Sequence, residues 1–295
     1  MQQKPPFLGQ VLNMSNDDYH AAPGWSSSHV KTFAEGALEF VEKYISPPEP
    51  LDPDEEAPDL SDQWKEDSDL ILGSAIHLAI LQPDLLSQET VVMPGLDFRT
   101  KNGRATRDEI LAHHHPRKLV LTHQQNLMVL RIRDAVYADP VAKRLFDNGI
   151  AETPTFARDP ETGELIKCMP DFESYRMGAL IDVKSTRDAS ESGFGREVEN
   201  LRYNFQPPWY FDVLEADRGE APPNWIWLAI EKRARPRIGI YFEHPDDVKE
   251  SRQIMRGHFE AMLRLRDSGK WPTSYTDDQI RRRFRPAWAK RHAAA

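Results

Sequence analysis

Apolar positions are densest between Leu70 and Leu81, where nine of twelve residues are apolar and His77 is the only ionisable one. That run predicts a buried helix, and Gly73-Ser74 within it permits close packing. Val30, Phe33, Ala37, Leu38 and Val41 recur at steps of three and four, predicting a helix over about His29 to Tyr44 that starts from Ser26-Ser27-Ser28. Thr122 caps a helix to about Ala138, a short one covers Val141 to Asn148, and Pro245 opens a long amphipathic helix closed by Gly269. Two more helical stretches cover about Ala189 to Asn200 and Tyr203 to Glu215. Period-two alternation predicts strands over Ile150 to Arg158, Glu164 to Asp171 and Ala179 to Lys184. Asn224 to Ile230 and Arg237 to Phe242 read as two further strands. Asp97 to Lys118 reads as a loop followed by a short helix, and Pro47 to Asp69, with five prolines, as a solvated loop. This order implies one α/β domain over residues 1–295, a central mixed sheet flanked by helices.

Composition narrows the class. The 295 residues are 39% hydrophobic, enough for a sizeable core, and the mean hydropathy is −0.64. No apolar run approaches the roughly 18 residues a membrane span needs, and the first residues lack the form of a signal peptide. A cytoplasmic protein without membrane contact is expected. The single cysteine, Cys168, excludes an internal disulfide and any four-cysteine metal site. A net charge of −9 excludes a generally basic nucleic-acid binder, but not one whose cations line a groove. The charge is uneven: ten acids and one base lie between Pro47 and Leu70, six bases and no acid between Arg281 and Arg291. The stretch at about 97–118 carries Arg99, Lys101 and Arg104 and is either a solvated face or a basic arm on a DNA backbone. The tail at 289–295 is expected to be disordered. Three serines at a helix start beside His29 and Lys31 make either an ordinary cap or a seat for a phosphate through Ser26, Ser28 and Lys31.

The densest chemistry lies between Lys167 and Lys184. Two short strands joined by a turn near Tyr175–Gly178 put Asp182 and Lys184 on one face, about 7 Å apart at their Cα atoms. Asp171, after Pro170, precedes them on the neighbouring strand. A carboxylate and an ammonium on an otherwise buried strand are costly to desolvate and need a metal, each other or a substrate. A surface salt bridge on a hairpin is the plainer alternative.

Pro170-Asp171 followed by Asp182-Val183-Lys184 resembles the PD-(D/E)xK nuclease site. A larger ordered set resembles the RecE-type exonucleases, the nuclease part of exodeoxyribonuclease VIII and its phage relatives. That set is Tyr19-His20 before the serines, Gly73-x-Ala75-x-His77, Cys168-x-Pro170-Asp171-Phe172, Asp182-Val183-Lys184-Ser185-Thr186, and Gln206 four residues before Tyr210. The resemblance implies that His77, Asp171 and Asp182 hold a metal with the carbonyl of Val183, that Lys184 orients and helps deprotonate a water, that Gln206 contacts the water or the scissile phosphate, and that Tyr210 supports the site beside it. Pro207-Pro208 replaces small helix formers and puts Gln206 at the helix start, where proline is accepted. The implied cofactor is Mg²⁺, with Mn²⁺ an alternative. The implied activity is processive 5′ to 3′ degradation of linear double-stranded DNA from its ends, leaving 3′ single strands. A ring of three or four copies, a RecT-like single-strand annealing partner and a bacterial or phage origin go with it. An endonuclease or RecB-like nuclease of the same fold, or an inactive DNA-binding scaffold, are the competing readings.

Overall fold

Leu, Ile, Val, Ala and Trp make up most of the two long central strands, Ala179–Thr186 and Asn224–Glu231, as expected for strands covered on both faces. The computed structural model describes residues 8–12, 14–47 and 60–275. In chain order its helices are α1 (Asn16–Ala21), α2 (Ser27–Glu35), α3 (Ala37–Phe40), α4 (Leu60–Glu66), α5 (Ser68–Leu81), α6 (Leu86–Glu89), α7 (Lys101–His114), α8 (His123–Ala138), α9 (Pro140–Leu145), α10 (Glu191–Asn200), α11 (Gln206–Arg218) and α12 (Pro245–Ser268). The strands are β1 (Gly9–Gln10), β2 (Thr90–Val92), β3 (Leu119–Leu121), β4 (Gly149–Ala151), β5 (Thr155–Arg158), β6 (Leu165–Cys168), β7 (Phe172–Ser174), β8 (Ala179–Thr186), β9 (Asn224–Glu231) and β10 (Ile238–Phe242).

The central sheet is mixed, in the order β10-β9-β8-β7-β4, with β8 and β9 parallel over their full length. Its two faces carry separate cores. Ile181, Val183, Leu228 and Ile230 pack against Ile76, Ala79 and Ile80 of α5 and Val129 and Ile132 of α8. Leu180, Trp225 and Trp227 pack against Trp209 of α11 and Met255 and Phe259 of α12. Each fully buried aliphatic side chain of this kind contributes roughly 1.5–3 kcal/mol. Asp182 and Lys184 thus interrupt the second face of β8, two and four residues beyond Leu180. Among the described residues no helix is long and apolar enough to cross a membrane.

Several expectations change. The helix over His29 to Tyr44 is broken at Gly36 into α2 and α3, followed by a wide-turn segment at Val41–Ile45. Part of the solvated loop of Pro47 to Asp69 is helical: α4 docks through buried Trp64, whose indole donates to the Val120 carbonyl at 2.8 Å. Residues 48–59, the centre of that loop, and the tail 289–295 lie outside the described residues. The stretch at 97–118 holds a 14-residue helix, α7, capped by Thr100, rather than a loop and a short helix. Ile150 to Arg158 is not one strand. It divides at Glu152–Pro154 into β4 and β5, which belong to different sheets. Pro154 cannot donate to a ladder, and the chain changes sheet there. The strand expected over Glu164 to Asp171 shortens to β6, Leu165–Cys168, and Asp171 lies just before β7.

A buried ion network ties α12 to the β5–β6 hairpin and α11. Arg256 meets Asp159 at 2.6 Å and Asp212 at 2.6 Å, and Asp159 is only 1% exposed. Removing the guanidinium leaves two carboxylates buried without it, a change that costs about 3–5 kcal/mol. Arg256→Ala should therefore lower the unfolding free energy by about 3 kcal/mol in urea titration, and a loss below about 1 kcal/mol would contradict the network's role.

Candidate active site at the open edge of β8

The site exists because β7 is short. β7 pairs with β8 only from Phe172↔Ile181 to Ser174↔Ala179. Beyond Ile181 the chain before β7 peels away, and the β7-side edge of β8 at Asp182–Lys184 is left open. Asp171 takes over the missing ladder bond, its Oδ2 accepting the Val183 N–H at 2.7 Å. The same oxygen lies 3.4 Å from Nδ1 of His77, which α5 presents from its third turn. Burial, then the nearby Lys184, lowers the His77 pKa to about 4, so the ring is neutral and able to ligate at neutral pH. His77 and Asp171 keep 29% and 17% of their side-chain surface, enough for access from the cleft.

Glu152 completes this cluster and escaped the sequence reading. It sits in the break between β4 and β5 with a left-handed φ of 49°, its N–H donating to the Asp171 carbonyl at 3.1 Å. Ligand atoms of His77, Glu152 and Asp171 all lie within 4.8 Å of one another. Burial, then the charges of Asp171 and Asp182, push the Glu152 carboxyl up to about 8. Non-glycine residues tolerate this backbone region only when their surroundings hold them there, and such positions concentrate at functional sites. The sequence signal for the break was Pro154 inside an apparent strand.

Asp182 is 2% exposed, with Lys184 Nζ against its Oδ1. That oxygen is buried and accepts no well-formed hydrogen bond. Burial raises the Asp182 pKa to about 6, against the pull of Lys184 and with a push from Asp171. Burial works against the Lys184 ammonium, but Asp182 and Asp171 outweigh it and its pKa rises. Lys184 Nζ also lies 4.7 Å from the ring centre of Tyr203 and 5.7 Å from that of Trp227. His77, Glu152 and Asp171 thus form one cluster, and the Asp182–Lys184 pair lies on the adjoining stretch of β8, close enough for its charges to act on His77 and Glu152. The gathering of His77, Glu152 and Asp171, the raised carboxyl pKa values and the oxygen-rich donor set fit a divalent cation. The ligand set named from sequence, His77, Asp171, Asp182 and the Val183 carbonyl, falls at this edge, with Glu152 added to it.

Gln206 is the first residue of α11, with Pro207 and Pro208 in the first turn as the sequence implied. It is half-buried. Tyr210, one turn on, packs edge-on against Trp225 at 5.4 Å. Its phenol pKa is raised by burial, then by Tyr19 and Asp182. Lys31 of α2 lies 5.1 Å from the Tyr203 ring centre, on the ring that Lys184 also touches. Burial, then Lys184, lowers its pKa. Ser26 is engaged in an ordinary cap: its N–H and Oγ lie 3.0 and 2.8 Å from His29 Nδ1. Burial and nearby Lys167 and Lys43 hold His29 near pKa 4, so it brings no positive charge to a phosphate at neutral pH. Ser28 is exposed on the first turn of α2. Arg99, Lys101 and Arg104 are not gathered into this cluster. They belong to the start of α7, which packs on α4 and β3. Arg99 pairs with Asp97 at 3.0 Å, and Arg104 donates to the carbonyls of Phe98 and Arg99.

A mixed sheet with a peeled-away Pro-Asp and a following Asp-x-Lys defines a domain of the PD-(D/E)xK class. The chain belongs to the family described as PDDEXK-like domain of unknown function (DUF3799), whose pattern matches residues 26–279. The fold is shared with a crystal structure at 2.19 Å from Eubacterium rectale described as "Putative exonuclease". That likeness has a TM-score of 0.58 at 14% identity, over 94% of this chain and 97% of the other. Among curated proteins no sequence matches.

Proposed function

We propose that the protein is a divalent-metal-dependent deoxyribonuclease acting as an exonuclease on linear double-stranded DNA. The observation that carries this reading is the convergence of His77, Glu152, Asp171 and Asp182 with Lys184 at one open strand edge. Asp171 and Asp182, with His77, Glu152 and the Val183 carbonyl at hand, would hold the cation. When bound, Mg²⁺ or Mn²⁺ acidifies the attacking water and neutralises charge on the phosphoryl group. Lys184, kept protonated by Asp182 and Asp171, orients the water and stabilises negative charge as it develops. Gln206 and Tyr210, at the start of α11, are proposed to support the water or the scissile phosphate, with Lys31, on the Tyr203 ring that Lys184 also touches, as a second cation.

The finer reading rests on the RecE-type motif order: 5′ to 3′ polarity, processivity, a ring of three or four copies and supply of 3′ tails to a RecT-like annealing protein in a bacterial or phage setting. The "Putative exonuclease" with the same fold agrees in chemistry. Duplex DNA labelled at the 5′ or 3′ end, linear or closed circular, tests it in one assay with Mg²⁺ or Mn²⁺. The expected result is loss of label from 5′ ends first and intact circles. Cutting of circles would make it an endonuclease of this fold. DNA binding without release of nucleotides under either metal would make it a scaffold and end the proposal.

A further inference from the structure

The β9–β10 turn is strongly basic in an otherwise acidic chain, reading Lys232-Arg233-Ala234-Arg235-Pro236-Arg237. It is built rather than loose. The Lys232 N–H donates to the Thr186 carbonyl at 3.0 Å, and the Glu231 N–H donates to the Arg237 carbonyl at 3.0 Å. Beneath it, Glu231 is a 3% exposed carboxylate that reaches Arg233 at 3.1 Å, Arg237 at 3.8 Å and the Ala189 N–H at 3.4 Å. Lys232 meets Asp69 in the first turn of α5 at 3.7 Å. Arg187 follows directly on Thr186 and is exposed, as is Arg235. Neither makes an ion pair among the described residues, whereas Arg233, Arg237 and Lys232 do.

The position of this ridge gives it a task. In the sheet, Lys184 faces Ala229 and Thr186 faces Glu231, so the turn begins three residues beyond the level of Lys184, roughly 10 Å along the strand. It also touches the helix that carries His77, eight residues before it. It therefore lies past the carboxyl-terminal ends of β8 and β9, beside the start of α5. Single-strand phosphates advance about 3.4 Å each along a duplex axis, so with one phosphate at Lys184 the ridge lies about three to five nucleotides away.

We infer that Arg187 and the 232–237 turn form a sequence-independent contact for the DNA backbone flanking the cleavage point, with Arg187 and Arg235 as its free cations. A buried carboxylate that fixes the turn lowers the ordering cost of such a contact, and guanidinium groups suit phosphate oxygens. The inference rests on the nuclease reading and deepens it by naming the surface that would receive the flanking duplex.

The test is the double variant Arg187→Gln/Arg235→Gln, which leaves the Glu231 anchor intact. A 30-base-pair duplex is titrated at several KCl concentrations with Ca²⁺ present, and hydrolysis of the duplex and of bis-p-nitrophenyl phosphate is followed with Mn²⁺. Each lost phosphate contact should reduce the log K against log [salt] slope by about 0.9 and the pair should weaken binding about 5- to 30-fold. KM for duplex should rise with kcat held, hydrolysis of the small diester should stay at the wild-type rate, and Arg187→Lys/Arg235→Lys should restore the slope. An unchanged slope and KM in a wild-type background that cleaves DNA would overturn the inference and point to a protein partner on the ridge. Wild-type protein that shows the salt-dependent binding, and loses it in the variant, yet hydrolyses neither substrate would instead overturn the nuclease reading and leave the surface standing.

Discussion

Lys184→Ala is expected to cut release of nucleotides from linear duplex by about 10²- to 10³-fold, the loss typical when one positioned charge donor at a reaction centre is removed. Asp182→Asn should lose at least as much, because it removes both a carboxylate oxygen facing the cleft and the partner that keeps Lys184 charged and in place. The two losses should not add, since the residues act as one unit. Neither change should unfold the protein. Asp182 is held at about 6 mainly by burial, so its charge is a burden on the fold without metal and asparagine relieves it. Rates of nucleotide release, set beside melting curves of both variants, check this. Turnover near the wild-type rate in either variant would remove the assigned residue from the chemistry.

The second large effect concerns Glu152. Its carboxyl has an ordinary pKa near 4.5 and one of about 8 in the fold. A group raised in this way contributes stability that is whole below about 4.5 and is lost as pH rises through about 8. Asp182, raised to about 6, acts in the same direction over a lower window. Protein stripped of metal with EDTA should therefore melt lower at pH 8.5 than at pH 5, by several degrees for a loss on the order of a few kcal/mol. Glu152→Gln should flatten the upper part of that dependence and raise the melting temperature at pH 8.5. The same variant should respond less to Mn²⁺, because a ligand that binds only the folded state stabilises it in proportion to its affinity. Comparing the variant with the wild type separates this group from the general repulsion of a chain carrying a net charge of −9. A slope unchanged in Glu152→Gln would place the residue outside the cluster.

Residue by residue, legibility followed local periodicity. Strand alternation put Asp182 and Lys184 on one face, and they form an ion pair on the face shared with Leu180 and Trp227. His77 stood out because nothing else between Leu70 and Leu81 could ionise. Asp171 was visible as the end of a strand, but its place ahead of β7 and its bond to the Val183 N–H were not, since these depend on where β7 stops. Glu152 was hidden because it occupies no regular element. A left-handed residue between strands of different sheets has no period, and Pro154 alone marked the change. Likewise α7 reads as a loop because Gly103 and six basic residues between 97 and 118 suppress its apolar pattern, while Arg107 and Leu111 pack inward. The ridge at 232–237 was equally invisible as a ridge: only the parallel register of β8 and β9 brings Arg187 beside it.

The central claim is that these side chains gather around a divalent cation. Crystals soaked in Mn²⁺ and measured for anomalous scattering test it most directly. The account predicts a peak at the open edge of β8, within roughly 2.0–2.6 Å of oxygens from Asp171 and Asp182 and accompanied by His77 or Glu152. Strong manganese sites elsewhere, with this edge empty at saturating Mn²⁺, would contradict it.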